Sequence, residues 1–412
     1  MPIRNQSLKP ENNFDLIKVR IRADKKYADA TGNVVSLRIY ETLNGLTTGL
    51  MVITDPIGII DVLNMKGRES IDLEFCSYSG ENPHPKYKKT FRVESFSRMT
   101  SSTAGSEMIE IRFVNQSIIE NNHTKKSQAF KNKSSSESVK MILDSFSCLK
   151  DYKFDIEDTL YQRTFTASLQ RPFDIIKKLA LHSVSKSSGS CKYMFYENSK
   201  GICFKSLGTL IKQTPTYMLV NEAQTSKTYN AGRSKRIIAN RISTPTGANA
   251  LQSSKRAEIG SRVYTHSLIN KTITIHDMTK QKFNSFDTSM NSDEYDEPDL
   301  ASSDQPFNAV MVMPGDGFYE SDAKTSNGHV TAIRMMEETK MNKTVMAEIP
   351  GNTDITVGDV VYLNHISMKD AKASANGSGK WLISKVCHSL TVNTFMTELE
   401  LISDSTDKTK VQ

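Results

Sequence analysis

The stretch GKWLISKVCHSLTVNTFMTELELI, residues 379–402, contains the only tryptophan of the chain and an adjacent cysteine and histidine, Cys387 and His388. Both halves of the stretch have the pattern of β-strands. Neighbouring side chains of a strand point to opposite faces, so this pair cannot face one metal ion or one substrate unless a bulge intervenes. One face then carries Trp381, Ile383, Lys385 and Cys387, and the other carries Leu382, Val386, His388 and Leu390. The pair is therefore predicted to be a structural part of a strand.

The composition is that of a soluble globular protein, with 37% hydrophobic and 24% charged residues. A chain of 412 residues is too long for one compact core, so two to four domains are expected. No apolar run reaches the roughly 18 residues that span a bilayer, and residues 1–14 lack the apolar core of a secretory signal. We expect no membrane insertion, and a protein that stays in the cytoplasm where it is made or is incorporated there into a larger assembly.

The five cysteines are an odd number, widely spaced and without a CxxC pair, which argues against a disulfide framework and against a cysteine zinc site. They are predicted to be reduced and mostly buried thiols. The net charge of +7 is spread over a long chain, so it permits an acidic partner without requiring one.

The fold class predicted from periodicity is α+β and rich in β-structure. Residues 1–115 contain six short runs of alternating apolar residues separated by turn signals, which predicts an antiparallel barrel or sandwich domain. Residues 329–402 begin with a helix over 329–341 and return to strands, which predicts a second β domain. A strand pair from about 190–242 is a candidate addition to it. The last residues, 403–412, form a polar tail.

Between these blocks, residues 116–328 are expected to form a mixed α+β region. The polar, basic segment 121–138 is predicted to be a loop, followed by a helix capped by Ser136 or Ser138. A second helix is predicted after Ser168, and a hairpin turns within ENSKG, residues 197–201. Residues 271–328, with the acidic run SDEYDEPD, are predicted to be an irregular insertion.

Sequence motifs of phosphate-binding, metal-binding and catalytic sites are absent or incomplete. The segment NGSGKW, residues 376–381, lacks the first glycine and the Ser or Thr of a phosphate-binding loop. The eight histidines show no HxxxH or HExxH spacing, the acidic run lacks the glycine and final glutamate of a calcium loop, and no GxSxG is present. The basic cluster in AGRSKRIIANR lacks interleaved aromatic residues. No catalytic, cofactor-binding or metal-binding residue and no cofactor is therefore predicted, and the protein is expected not to be an enzyme.

The order of the segments resembles the baseplate hub protein of contractile-tailed bacteriophages. MAEIPGNTDITVGDVVYLN, residues 346–364, and residues 379–402 are similar to the closing strands of that family. Residues 41–75 resemble its first domain, with a Gly-x-Glu-x-Ile element at Gly67, Glu69 and Ile71. SESVKMILDSF, RTFTASLQRPFDIIKKLA and RVYTHSLIN follow in the family's order. The resemblance is weakest over 271–328.

The resemblance implies a homotrimer in which each subunit carries two similar tube-type β domains, so that three copies form a pseudo-sixfold ring around a channel. Such a ring adapts the sixfold tail tube, its initiator and the tape measure protein to a threefold spike or lysozyme-type protein. Phage DNA passes through the channel without sequence-specific binding. The expected location is the tail baseplate of the virion, assembled in the cytoplasm of the host bacterium and used in entry.

Three other hypotheses fit parts of the sequence. The chain could be the hub of a type VI secretion or tailocin-like injection machine, with a separate spike. It could be a tail-associated hydrolase that uses His388 or His182. It could also be a β-barrel that binds single-stranded nucleic acid, in which case binding would depend steeply on salt.

Overall fold

The computed structural model describes residues 13–24, 26–56, 58–79, 82–100, 107–221, 236–243, 260–267, 271–279, 290–291, 309–314, 327–365 and 377–405. The acidic run and residues 315–326 lie outside these ranges. Within the described residues the chain is rich in β-strands and contains few helices. The many short runs of alternating apolar residues in the sequence predict this.

The first β unit contains β1 (Phe14–Ala23), β2 (Lys26–Asp29), β3 (Val34–Thr42), β4 (Thr48–Asp55), β5 (Ser70–Ser79), β6 (Asn82–Pro83), β7 (Tyr87–Thr100) and β8 (Glu107–Asn115), with a short helix α1 (Ile59–Leu63). The strand order is β3-β4-β8-β7-β5-β1-β2, and all neighbours are antiparallel. Every alternating run that the sequence offered here lies on a strand, and the buried side chains of these strands share one core. In β4 the predicted apolar face was wrong, because Met51 and Ile53 are buried and Leu50 and Val52 are on the opposite face. The predicted strands of this unit are therefore confirmed.

The middle of the chain contains α2 (Gln116–His123), β9 (Lys126–Ser134), α3 (Ser135–Leu143), β10 (Phe154–Ile156), β11 (Gln162–Gln170), α4 (Pro172–Leu181), β12 (Tyr193–Asn198), β13 (Gly201–Ser206) and α5 (Leu207–Ile211). Strand β9 pairs with β11, and β13 lies between β10 and β12. The helix faces and these strands enclose a core of their own. The hairpin predicted at ENSKG is confirmed, since Asn198 pairs with Gly201.

Two predictions for the middle were wrong. Residues 121–138 are not a loop, because α2 continues to His123 and β9 follows. Only one side chain of β9, Phe130, is buried, and it stacks on Phe165 of β11 at 4.7 Å, so the strand lacks the apolar alternation that would reveal it. The cap of α3 is Ser134, which forms a capping box with Glu137.

The remaining elements are β14 (Tyr217–Asn221), β15 (Arg236–Ile238), β16 (Arg241–Ile242), β17 (Gly260–Ser267), β18 (Thr272–Thr279), β19 (Ala309–Pro314), α6 (Asn327–Lys340), β20 (Lys343–Pro350), β21 (Val360–His365), β22 (Gly379–Thr391) and β23 (Phe395–Ser403). Strands β17–β19 form a three-stranded sheet that packs against α6. The prediction that 271–328 is irregular was therefore wrong for β18 and β19. The helix predicted over 329–341 is confirmed as α6.

The second β unit comprises β14–β16 and β20–β23, with a core that includes Trp381. Its strands and those of the first unit belong to one hydrogen-bonded sheet, because β22 pairs with both. Residues 379–382 of β22 pair with β21, residues 385–391 pair with β3, and its opposite edge pairs with β23. The stretch 379–402 is thus the element that joins the two β units.

A bulge at Ser384 corrects the predicted faces of β22. Ile383 lies opposite Leu401 and Lys385 lies opposite Glu400, so one residue of β22 has no counterpart in β23. The bulge places Trp381 and Ile383 on the same face as Val386 and His388 instead of the face of Cys387. The alternation downstream of the bulge is as predicted, with His388 buried and Cys387 half-buried.

Candidate functional site at the junction of the two β units

The residues considered above for catalysis, metal binding or phosphate binding do not come together in one site. Cys387 and His388 occupy opposite faces of β22, and burial raises the pKa of the Cys387 thiol to about 11. Lys380 is part of β22, and His182 ends α4. In the described part of the chain, no three His, Cys, Asp or Glu side chains group as metal ligands. No helix of that part is long and apolar enough to cross a membrane.

His388 is wholly buried among aromatic rings that lie in the core of the first unit. Its ring centroid lies 6.3 Å from that of Phe75, 5.9 Å from that of Tyr87 and 5.8 Å from that of Phe395. Nδ1 lies 3.2 Å from the hydroxyl of Thr397 on β23. Burial, with a smaller contribution from the positive charge of Lys89, lowers the pKa of His388 to about 3. The imidazole is therefore a neutral packing group at the junction.

The free energy of unfolding should depend on pH through His388. In the unfolded chain the imidazole has a pKa near 6.5 and is protonated below that pH. In the folded protein it stays neutral down to about pH 3. Stability is therefore complete above pH 6.5 and is lost as the pH falls, by up to about 1.4 kcal/mol per pH unit. Denaturant unfolding of the wild type and of His388→Met between pH 7 and pH 4 checks this.

In that comparison the wild type should lose stability more steeply than the variant. The buried carboxyl of Glu41, whose pKa burial raises, has the opposite pH dependence but is present in both proteins. Parallel curves for the two proteins would show that His388 does not titrate as the geometry requires.

A buried ion pair joins the first unit to the middle region. Lys89 Nζ of β7 donates to Glu197 Oε1 at 2.9 Å, to the carbonyl of Asn198 at 2.7 Å and to Thr47 Oγ1 at 3.2 Å. The second carboxylate oxygen of Glu197 accepts from the backbone N–H of Thr47 at 2.9 Å. The two charged side chains are only 6% and 0% exposed. Because each charge is paired and hydrogen-bonded, the network fixes β12 against the first unit.

Two further buried contacts join the first unit to the second. Thr356 donates to Glu41 Oε2 at 2.6 Å, and the backbone N–H of Thr353 donates to Ser77 Oγ at 3.0 Å. Together with the β3–β22 ladder, these bonds hold the loop between β20 and β21 against the first unit. The junction is therefore built from backbone pairing, aromatic packing and buried polar contacts between the units.

The two β units have the same strand order. In the first, β3-β4-β8-β7-β5 are neighbours, and in the second, β16-β20-β23-β22-β21 are neighbours in the corresponding sequence. In each unit the last two strands in chain order form a hairpin. It joins a long strand, β7 or β22, to a strand of nine residues, β8 or β23. The antiparallel pairings between these neighbours correspond one to one.

The correspondence extends to single residues. Strand β7 has a bulge at Glu94, between the pairs Val93–Phe113 and Ser95–Arg112, and β22 has its bulge at Ser384. Each bulge directly follows a residue that pairs with the third-last residue of the nine-residue strand, which is Phe113 in β8 and Leu401 in β23. The N–H before each bulge donates to the carbonyl preceding β5 or β21, from Val93 to Glu69 at 2.9 Å and from Ile383 to Asp359 at 3.0 Å.

Aligning the two units at their bulges brings their buried residues into the same register. Fully buried residues then coincide in pairs, Phe91 with Trp381, Val93 with Ile383, Ile111 with Leu399 and Phe113 with Leu401. The single tryptophan thus occupies the core position that a phenylalanine fills in the first unit. Sequence reasoning did not find this register, because the insertions between the strands differ in length, but the buried aromatic ahead of each bulge was a usable signal.

Comparisons with known proteins agree with this architecture. The chain is 36% identical over 410 residues to the probable baseplate hub protein gp334 of Vibrio phage KVP40, covering 97% of this chain and 96% of the relative. No protein-family model matches. A tail protein from Neisseria meningitidis MC58 matches with a TM-score of 0.55 at 9% identity, over 97% of this chain and 99% of that one. The 43 kDa tail protein of prophage MuSo2 from Shewanella oneidensis matches with a TM-score of 0.54 at 7% identity, over 96% and 100%.

The chain therefore has the fold of these two tail proteins. At 36% identity over nearly the whole length, the chain belongs to the family of baseplate hub proteins of contractile-tailed phages. The resemblance drawn from the order of the sequence segments is confirmed, and the protein is a structural component of the baseplate.

Proposed function

We propose that this hub protein acts as a homotrimer that matches a sixfold tail tube to a threefold spike. The observation that carries the proposal is the shared strand order and bulge register of the two β units. If one unit can replace the other in a ring, three subunits present six similar positions. A cyclic assembly of this kind makes head-to-tail contacts that close on themselves.

We assign the two β units to two tube-type barrel domains, residues 1–115 and 329–402, with β14–β16 completing the second. Residues 116–328, apart from those strands, form the mixed region. The polar tail predicted over 403–412 starts later than expected, because Ser403 ends β23 and Asp404 and Ser405 are buried. Hydrogen bonds from Ala239 N–H to Val220 O at 3.0 Å and from Asn240 N–H to Glu348 O at 2.8 Å support closure of the second barrel between β14 and β20.

In this proposal the junction keeps the ring rigid during tail contraction. The partners are the tail tube initiator and the tape measure protein on one side and a spike or lysozyme-type protein on the other, and phage DNA passes through the channel. The subunit has a structural role without catalysis. It assembles in the host cytoplasm and remains in the baseplate of the virion.

Mass measurement under native conditions tests the trimer. We expect a species of three times 46.1 kDa that persists on dilution, because permanent ring interfaces are large. Adding a candidate spike protein should give a complex with three hub chains. A monomer that binds no spike protein would contradict the proposal.

A further inference from the structure

We infer that the carboxyl group of Glu41 carries a proton at neutral pH, and that this bound proton allows the loop between β20 and β21 to close against the first unit. Glu41 lies inside one subunit, so its protonation is independent of the proposed trimer. The carboxyl group is then a pH-sensitive contact between the two β units.

Glu41 occupies a position where the pattern of β3 requires an apolar side chain. Leu37, Ile39 and Glu41 alternate along the strand, and all three are 0% exposed. Across the ladder, Glu41 lies opposite Val386 of β22, which is also buried. An ionised carboxylate in such a place is costly unless it has a cation and hydrogen-bond donors of its own.

The cation that acts on Glu41 is Lys89, and its hydrogen bonds are all made elsewhere. An ammonium group has three N–H donors, and Lys89 Nζ donates to Glu197, Asn198 and Thr47. The charge of Lys89 is balanced by Glu197, whose two carboxylate oxygens are both hydrogen-bonded. An ionised Glu41 would therefore be a second buried negative charge beside one positive charge.

Hydrogen bonds to Glu41 reach only one of its two oxygens. Oε2 accepts from Thr356 Oγ1 at 2.6 Å and from the backbone N–H of Val357 at 3.4 Å. Oε1 is buried and accepts from no described residue. Burial raises the pKa of Glu41, and the charge of Lys89 and these two hydrogen bonds oppose that effect only in part. The neutral acid is the form that this environment favours.

The other titratable groups around Glu41 add no positive charge. The carboxylate of Glu197 on β12 opposes a second negative charge. The phenol of Tyr87 on β7 and the imidazole of His388 on β22 are neutral, because burial raises the pKa of the first and lowers the pKa of the second. Among these groups, Lys89 therefore remains the one cation, and Glu197 already balances it.

A proton on Glu41 also provides a donor on the face that it shares with His388. His388 lies diagonally across the β3–β22 ladder from Glu41, and both side chains are 0% exposed. Nε2 of His388 is buried and has no hydrogen-bond partner among the described residues. When Nδ1–H donates to Thr397, Nε2 is an acceptor, so the proton on Glu41 places a donor and an acceptor on neighbouring buried residues.

The pH dependence of unfolding of the wild type and of Glu41→Gln tests this protonation. In the unfolded chain the carboxyl group has a pKa near 4.5. A carboxyl that keeps its proton on folding contributes stability that is complete below that pH and is lost as the pH rises. The unfolding constant of the wild type, divided by that of the variant, should therefore rise about tenfold per pH unit until the folded carboxyl ionises. We expect this rise to continue past pH 7.

A ratio that levels off below pH 7 would show that Glu41 is ionised in the folded protein at neutral pH, and would overturn the inference. Only the slope of the ratio is compared, so a constant difference in stability between the two proteins does not affect the result. The matched control is Glu94→Gln, which changes an exposed glutamate of β7 and should give a flat ratio over the same range.

Infrared spectroscopy of the folded protein at pH 7 gives a direct readout. A protonated carboxyl group has a carbonyl stretching band that a carboxylate lacks. The wild type should show such a band that is missing in Glu41→Gln, whereas bands from other buried carboxyls, such as Glu337, should remain in both. Identical spectra in this region would overturn the inference. If the glutamine variant does not fold, Glu41→Met, which is also uncharged, replaces it in both measurements.

Discussion

Replacing Lys89 by methionine should lower the free energy of unfolding by about 3–5 kcal/mol, because it leaves the carboxylate of Glu197 buried without a cation. Glu197 is 0% exposed and its only salt-bridge partner among the described residues is Lys89, at 2.9 Å. Methionine preserves most of the apolar stem of lysine, so the loss measures the missing charge rather than a cavity. Denaturant unfolding at pH 7 is the measurement.

Two further variants make that test specific. Lys88→Met removes a neighbouring lysine that is exposed on the opposite face of β7, and it should change stability by less than about 0.5 kcal/mol. The double variant Lys89→Met/Glu197→Gln removes both charges and should recover much of the loss. If the double variant is no more stable than Lys89→Met, the penalty does not come from an unpaired charge.

Replacing Phe395 by alanine should cost about 3–5 kcal/mol, the range for removing a buried aromatic ring. Phe395 begins β23 of the second unit, yet its side chain lies in the core of the first, 5.8 Å from the ring of Phe14 and 5.7 Å from that of Phe75. Gly351 packs directly on this ring, where any side chain would collide with it, so neighbouring groups have little freedom to fill the space. Thermal and denaturant unfolding measure the loss.

The control for this substitution is Val392→Ala in the same hairpin. Val392 is 65% exposed, so its truncation should be nearly neutral. Because Phe395 connects the two β units, Phe395→Ala should also reduce the yield of the native trimer if rigid mutual orientation of the units is needed for ring closure. Equal stability of the two variants would show that the hairpin tip does not anchor the units.

The local periodicity of the sequence was enough to predict most elements. Alternation identified the strands of the first unit and the closing hairpin, and the apolar stripe with Pro172 identified α4. Strand β9 was missed because one buried residue, Phe130, cannot produce an alternating pattern. The bulge at Ser384 was also missed, since a bulge changes the pairing partner of a residue without changing the local composition.

The junction depends on contacts between residues far apart in the chain. Lys89 and Glu197 are separated by 108 positions, and Thr356 reaches Glu41 across 315. Nothing in the local sequence distinguishes these side chains from ordinary surface charges. The role of His388 was predictable only in part, because the alternation indicates a buried face but not the aromatic rings that surround the imidazole.

The sequence by itself determined most element types and the two β-rich ends, because strand and helix formation follow from the spacing of apolar residues over a few positions. It also determined the family, through the order of its segments. Only the tertiary structure decided that β22 pairs with both β3 and β21 and that the two units share one register. Strand partners are chosen by the long-range closure of the sheet, and no short segment carries that information.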